Sequence, residues 1–444
     1  MTSDRLPSSL FKNNRSKLGA NISHRSLVFV CSNHQMPRNG DQYFPFRQHS
    51  DMYYLTGIVQ ERCVLLMVPD HPRPDIKEIL FILKPTPKME TWEGHKLTPE
   101  EAASISGIEH VRYLDEMDGI IAEIINYSET IYYNIPEKAK PDSEIKSMDQ
   151  ILSEQINNKF PGHMRGTIAP IMTRLRMFKE PAESDVIKHA CSITRNAFMR
   201  ILPLVKPGMM EYEIEAEIIH EFKKSGADGH AYEPIIASGE NALTLHYVEN
   251  SSICKEGEMI LMDFGAEYLN YAADCTRTVP VNGKFTKRQR DLYEANLRVL
   301  KQAIELMTVG KNLSDYHAEV GLLWQEEHIK LGLYTSKDVS DQDSDNPFWK
   351  RYFIHGTSHS LGLDVHDPLD RSLNIAPGMV LTCEPAIYIP EEKIGIRLEN
   401  DILITENGPV DLMGDIPIEP DEIIKLIASV FIKVHGLNGL SSGG

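Results

Sequence analysis

Four carboxylates set in apolar surroundings and a histidine-rich segment mark where chemistry could sit. Asp263 closes the hydrophobic run MILMD and Asp274 sits in YAADCTRT, although aspartate is a poor strand former. The intervening GAEYLNY can turn the chain, which predicts a hairpin with both carboxylates on one face. Two like charges held that close push one pKa up sharply unless a cation neutralises them. Alone, the pair would read as exposed carboxylates on an edge hairpin. However, FIHGTSHSLGLDVHD adds His355, His359 and His366 among glycines and small residues that let the backbone approach closely. Glu384 in LTCEPAIY and Glu399 in GIRLEND are further carboxylates within apolar strands. An unpaired buried carboxylate is costly, so such residues must be exposed, neutralised or metal-bound.

Charge counting favours the metal. Two Asp and two Glu supply four negative charges, two divalent cations supply four positive ones, and a neutral imidazole leaves that balance untouched. Oxygen-rich ligation with one imidazole and no thiolate suits Mn²⁺ and tolerates Co²⁺ or Zn²⁺. Paired metals roughly 3.5–4 Å apart can share a hydroxide and polarise a carbonyl, so hydrolysis is the natural reaction. Cys275 and Cys383 flank proposed ligands, but strand alternation points them to the opposite face. The six cysteines are scattered without a C-x-x-C pair, against a disulfide scaffold or a thiolate zinc site.

The elements that must position these residues fall into two groups. Up to about residue 170, SLVFVC (26–31), CVLLMVP (63–69), EILFILK (78–84) and TIYYNIP (130–136) read as strands, with helical spacing in TPEEAASI and YLDEMDGIIAEIINY. Thr98 is a candidate cap, with Pro99 at the first helical position. This predicts an α/β domain over 1–172, ended by the turn-rich NNKFPGHMRGT. Beyond it, helices start near Pro181, over EYEIEAEIIHEFKKSG ending at Gly226, over TKRQRDLYEANLRVLKQAIELM with Thr286 and Gln289 as a capping box, and over SDYHAEVGLLWQEEHIKLG capped by Ser314. EMILMDFGAEY, YAADCTRTVPV, MVLTCEPAIYI and GIRLENDILIT are strand-like. Helices around antiparallel strands predict an α+β domain over 173–444. The acidic, turn-rich SKDVSDQDSDNPFWKRY (336–352) reads as a surface excursion that could narrow the cleft.

Composition excludes several classes. The chain has 444 residues and a net charge of −18, of which −3 lies in the first 170 residues and −15 beyond. That balance repels a phosphate backbone and argues against nucleic acid as a partner. No apolar run approaches the ~18 residues needed to cross a bilayer, and MTSDRLPSSLFKNNRSKLG lacks the apolar core of a secretory signal. The expected compartment is therefore the cytoplasm, with no membrane partner.

The ordered set MDFG, AADCTRT, HGTSHSLGLDVHD, LTCEPAIY and GIRLENDILIT resembles the metal-dependent pita-bread peptidases, specifically the Xaa-Pro aminopeptidases (aminopeptidase P). RQHSDMYYLTG (47–57) and KMETWEGHKLTPEEA (88–102) are similar to their amino-terminal domain, which plain methionine aminopeptidases lack. The resemblance implies that Asp263, Asp274, His359, Glu384 and Glu399 are the metal ligands. Asp274 and Glu399 would bridge two divalent ions, with Asp263 on one and His359 and Glu384 on the other. It further implies that Glu384 carries a proton from the bridging water to the leaving nitrogen. His246 in SGENALTLHYVEN would lie near the scissile region, and His366 would support the carbonyl as charge develops. His355, Tyr388 and Arg397 would line the pocket and link to the metal shell. Trp92 would reach the active site of a neighbouring subunit, since such enzymes are commonly dimers or tetramers.

Plainer readings stand beside these. His246 could be a strand histidine with a structural partner, Arg397 could pair with Glu399 or Asp401, and Trp92 could cap a local hydrophobic cluster. The implied reaction is removal of any N-terminal residue that precedes a penultimate proline. The competing function is a prolidase restricted to Xaa-Pro dipeptides. More distant alternatives are a non-catalytic pita-bread interaction module and a metal-free enzyme of the creatinase kind, both of which would lose ligand positions.

Overall fold

The computed structural model describes residues 5–135, 145–343 and 346–436. The chain forms two compact units, Met1–Arg176 and Met177–Gly444. The boundary proposed from sequence at 172/173 falls inside the helix Ala169–Met177.

The first unit is built on a six-stranded mixed sheet. Its central strand Ser26–Cys31 is buried throughout, and pairs antiparallel with Val64–Met67 and parallel with Thr130–Tyr133. Leu27, Phe29 and Cys31, alternate residues of that strand, share one core with Leu66, Phe81, Ile121, Ile131 and Ile156. The helix Pro99–Ser106 carries the predicted Thr98 cap as a full capping box with Glu101. Pro136, the last residue of the strand expected over 130–136, lies outside the described residues.

Several elements of this unit are not announced by the sequence, among them the edge strand His110–Tyr113. Helix Ser8–Ala20 has no capping side chain and holds its buried Arg15 on the carbonyls of Leu55 and Ser106. Helix Met148–Lys159 and strand Met164–Thr167 arise where turn residues suggested a linker. That strand completes the sheet by pairing parallel to Thr130–Tyr133.

In the second unit every described strand pairing is antiparallel, as expected for an α+β architecture. Long helices accompany them: Pro181–Ile201, Glu211–Lys224, Lys287–Leu306 and Leu313–Lys330. Thr286 and Gln289 form the predicted capping box. The cap of Leu313–Lys330 is Asn312, whose side chain accepts from the Ser314 N–H, so Ser314 lies one turn-position inside the helix. The excursion at 336–352 is more ordered than expected, with a short helix Ser336–Ser340 and a tight turn Phe348–Arg351 that buries Trp349. Its residues 344 and 345 lie outside the described residues.

The predicted aspartate hairpin is nested. Met259–Asp263 pairs with Thr276–Pro280, Asp263 opposite Thr276, and the intervening chain folds back as Ala266–Tyr268 against Tyr271–Ala272. Gly265 sits at the crossover, where a Cβ would lie 1.7 Å from the Ala273 carbonyl oxygen. Both neighbours are backbone, so no rotamer can relieve that overlap. Gly265→Ala is expected to destabilise the protein by about 3 kcal/mol; a urea midpoint equal to that of the parent protein would contradict this account.

Candidate active site

The two aspartates meet at Tyr232. Its hydroxyl lies 2.5 Å from Oδ1 of Asp263 and 2.5 Å from Oδ1 of Asp274. Asp263 ends its strand and also takes a hydrogen bond from Nη2 of Arg397. Asp274 precedes its strand, fixed through its backbone N–H on Oδ2 of Asp401 at 3.0 Å.

Glu399 arrives from the other side of the fold. Its N–H donates to the Thr276 carbonyl at 3.1 Å, and its Oε2 accepts from the Thr276 hydroxyl at 2.6 Å. Buried Arg277 locks the same junction by donating to the Glu399 carbonyl at 2.8 Å and to Oδ1 of Asn400 at 2.8 Å. The strand after Asp274 and the segment carrying Glu399 are thus stitched by side chains.

His359 and Glu384 are positioned together. The segment 357–361 runs beside strand Val380–Cys383: Thr382 N–H reaches the His359 carbonyl, Leu361 N–H the Val380 carbonyl and Glu384 N–H the Thr357 carbonyl, at 2.9, 3.0 and 2.9 Å. Nδ1 of His359 lies 3.1 Å from the Ser360 carbonyl. That contact makes Nδ1 the donor, so Nε2 is the nitrogen that can face an electrophile once its proton is lost. Nε2 is 3.4 Å from Asp274 and 3.7 Å from Glu384.

Ligand atoms of Asp274, His359 and Glu399 all lie within 4.8 Å of one another, the one such group among the described residues. With Asp263 and Glu384 they line a single cavity of about 420 Å³. All five expected ligands therefore come together, from four separate stretches of sequence. Neither cysteine joins the group: Cys383 lies 3.3 Å from the Tyr316 hydroxyl, and Cys275 is buried.

Packing carboxylates out of water has a measurable electrostatic consequence. Burial pushes the Asp263 carboxyl up, with Arg397 opposing the shift. Burial likewise drives Glu384 up to about 7 and Glu399 well above the carboxylate range. For His359 burial pulls downward, but the bond to Asp274 and the Glu384 charge outweigh it and bring it up to about 9. Uncompensated negative charge at a buried site with a lone imidazole fits a divalent cation site.

His246, His355, His366 and Arg397 also line this cavity, whereas Tyr388, expected to line it, is buried behind it and bonded to His355 and Arg397. His355 stands with Nε2 3.1 Å from the Tyr388 hydroxyl and Nδ1 2.8 Å from the Gly356 carbonyl. Burial lowers it to about 4, so it is neutral at pH 7. Tyr388 accepts from Nη1 of Arg397 at 2.8 Å. Arg397 therefore pairs with Asp263, and not with Glu399 or Asp401 as its place in the sequence suggested, because register sets it opposite Ala386 and beside the Thr276 strand. His366 packs edge-on against His359, ring centroids 4.3 Å apart. His246 belongs to a turn after the short helix Gly239–Leu243, not to a strand, and is exposed at the cavity. Trp92, on helix Pro87–Glu93 of the first unit, is 80% exposed.

Several participants were invisible as motifs. Tyr232, Thr276, Thr382 and Asp401 act through long-range hydrogen bonds that leave no spacing signature. The one available hint for Tyr232 was an aromatic next to the turn-forming Glu-Pro, ahead of the apolar strand Ile235–Ser238.

Residues 185–406 match metallopeptidase family M24, and residues 11–132 match the aminopeptidase P N-terminal domain. The Xaa-Pro aminopeptidase of Escherichia coli is 34% identical, over 94% of this chain and 97% of its own. A solved structure from Bacillus anthracis described as an aminopeptidase P superposes with a TM-score of 0.89 at 32% identity, covering 96% of this chain and 99% of that one. A zinc-substituted E. coli aminopeptidase P in complex with product gives 0.84 at 32% identity, covering 96% and 99%. With an amino-terminal domain of that type ahead of a unit that gathers five ligand-type side chains, the chain belongs to metallopeptidase family M24, among the Xaa-Pro aminopeptidases (aminopeptidase P).

Proposed function

We propose that this enzyme is a two-metal, Mn²⁺-type aminopeptidase that removes any N-terminal residue standing before a penultimate proline. The observation that carries this reading is the convergence of Asp274, His359 and Glu399 within 4.8 Å, in one cavity with Asp263 and Glu384. In this assignment Asp263, Asp274, His359, Glu384 and Glu399 would hold the cations. When bound, a pair of divalent cations supplies a nucleophile from water at neutral pH and polarises the scissile carbonyl.

The chain's own groups do the rest. Glu384, at the cavity wall beside His359, is placed to accept a proton and return it to the departing nitrogen. His366 and His246 face the same cavity, where a donor can support developing negative charge on the carbonyl oxygen. Arg397, Tyr388 and His355 form a hydrogen-bonded row that fixes Asp263 and the pocket wall. A bond preceding proline is a tertiary amide without an N–H. The apolar side of the cavity, Ile235, Leu245, Val248 and Val365, suits the pyrrolidine ring.

One observation separates this from a prolidase. Such an enzyme needs a cation for the substrate's free carboxylate. Arg397, the cavity's guanidinium, is already engaged by Asp263, Tyr388 and Thr276. Retention of all five ligand positions weighs against a non-catalytic module or a metal-free mechanism. The six cysteines are free thiols, which suits a cytoplasmic setting. Among the described residues no helix is long and apolar enough to cross a membrane. The exposed Trp92 supports a homo-oligomer, dimer or tetramer, in which it meets a neighbouring subunit.

Supplied with Mn²⁺, the enzyme is expected to cleave Ala-Pro-Ala, and Asp274→Ala to lose at least ~10²-fold in kcat/KM. Hydrolysis of the dipeptide Ala-Pro with no turnover of Ala-Pro-Ala would establish the prolidase instead. The protonation states give a second expectation. Cations bind the ionised carboxylate and the neutral imidazole, so filling the site must expel protons from Glu384 and His359. Metal uptake at pH 7 should release more than one proton, and affinity should weaken as pH falls from 8 to 6 by roughly tenfold per unit for each proton released. Calorimetry in buffers of different ionisation enthalpy reads this directly; a buffer-independent heat would refute it.

A further inference from the structure

His317 lies outside the five ligands and their hydrogen-bonded row, on helix Leu313–Lys330. Its Nδ1 is 2.7 Å from the hydroxyl of Thr357. Thr357 is buried, and its carbonyl accepts the backbone N–H of Glu384 at 2.9 Å. The imidazole is held by aromatic rings on two sides, Trp349 with centroids 5.3 Å apart and nearly perpendicular, and Phe353 at 5.6 Å. Both rings come from the end of the 336–352 excursion and the residues just after it. The packing is close: a Cβ on Gly321 would fall 2.4 Å from the Trp349 indole. The same stretch holds the pocket from a second point, since the Tyr352 carbonyl accepts the Tyr388 N–H at 2.9 Å. Phe353 also packs edge-on against His355.

We propose that His317, caged by the aromatic end of the 336–352 excursion, is a positioning residue that fixes Glu384 through Thr357. It touches neither the cavity ligands nor substrate, and acts by holding the turn from which Glu384 hangs. The excursion, on this account, is a brace behind the active site rather than a flap over it. A carboxylate that must both hold a cation and move a proton tolerates little displacement. The proposal rests on the reading of Glu384 as a ligand and proton carrier.

The test compares His317→Ala, His317→Asn and Thr357→Val with the parent protein by two readouts: turnover of Ala-Pro-Ala, and Mn²⁺ uptake by calorimetry. His317→Ala is expected to lose roughly tenfold in kcat with KM little changed, and to weaken uptake at one of two Mn²⁺ sites by a similar factor. His317→Asn, which can place an amide near the Thr357 hydroxyl, should restore most of both losses. Thr357→Val keeps the shape but removes the hydroxyl, and should reproduce the His317→Ala defect; it also decides the matter if His317→Ala does not fold. Unchanged kcat and Mn²⁺ affinity in Thr357→Val, or failure of His317→Asn to restore what His317→Ala loses, would overturn the role. Were the parent protein inactive on Ala-Pro-Ala, the functional reading would fail, while Mn²⁺ uptake would still decide whether His317 governs Glu384.

Discussion

Asp263, Asp274, Glu384 and Glu399 occupy one cavity with Arg397 as the guanidinium among them, and that crowding is the constraint around which the second unit is organised. Without cations the arrangement is electrostatically unfavourable. Asp263, Glu384 and Glu399 are all pushed toward their protonated forms. Arg397 relieves Asp263, and Tyr232 sits between the two aspartates. A fold that tolerates such a concentration of like charge must hold it with groups that do not themselves depend on the cations.

Those groups are mostly backbone amides and hydroxyls. Thr276 receives Arg397 and donates to Glu399, so one hydroxyl couples the guanidinium to that carboxylate. Arg277, fully buried, converts the junction between Thr276 and Glu399 into a clamp that reaches the Pro417 carbonyl. Asp401 fixes the backbone at Asp274. Behind the histidine segment, the buried pair of Lys179 and Asp367 ties the start of the unit to the chain just after His366. Removing one partner of a buried pair costs far more than a surface pair contributes, so these contacts set the geometry while surface ion pairs add little.

The first unit has a different physical basis. Its order comes from apolar packing around a fully buried central strand, with Leu27 and Phe29 against Leu66, Phe81 and Ile131.

Much of this was legible in the residue order because its signals are local. Alternation and β-branched runs announced the strands at 26–31, 64–67 and 259–263, and the Thr98 and Thr286 capping boxes are sequence-adjacent by construction. The ligand types were legible too, since an acidic residue in an apolar strand is anomalous wherever it occurs. What the sequence by itself determined was therefore the type of most long elements and the residue types, acidic and imidazole, that meet in the cavity. Tertiary structure alone decided the partners. Arg397 chose Asp263, 134 positions away, over its neighbours Glu399 and Asp401 because strand register, not sequence distance, sets which side chains face. Tyr232 and Thr276 came into the site, and His317 behind it, for the same reason: a long-range hydrogen bond carries no periodicity, and its partner exists only once the chain has closed.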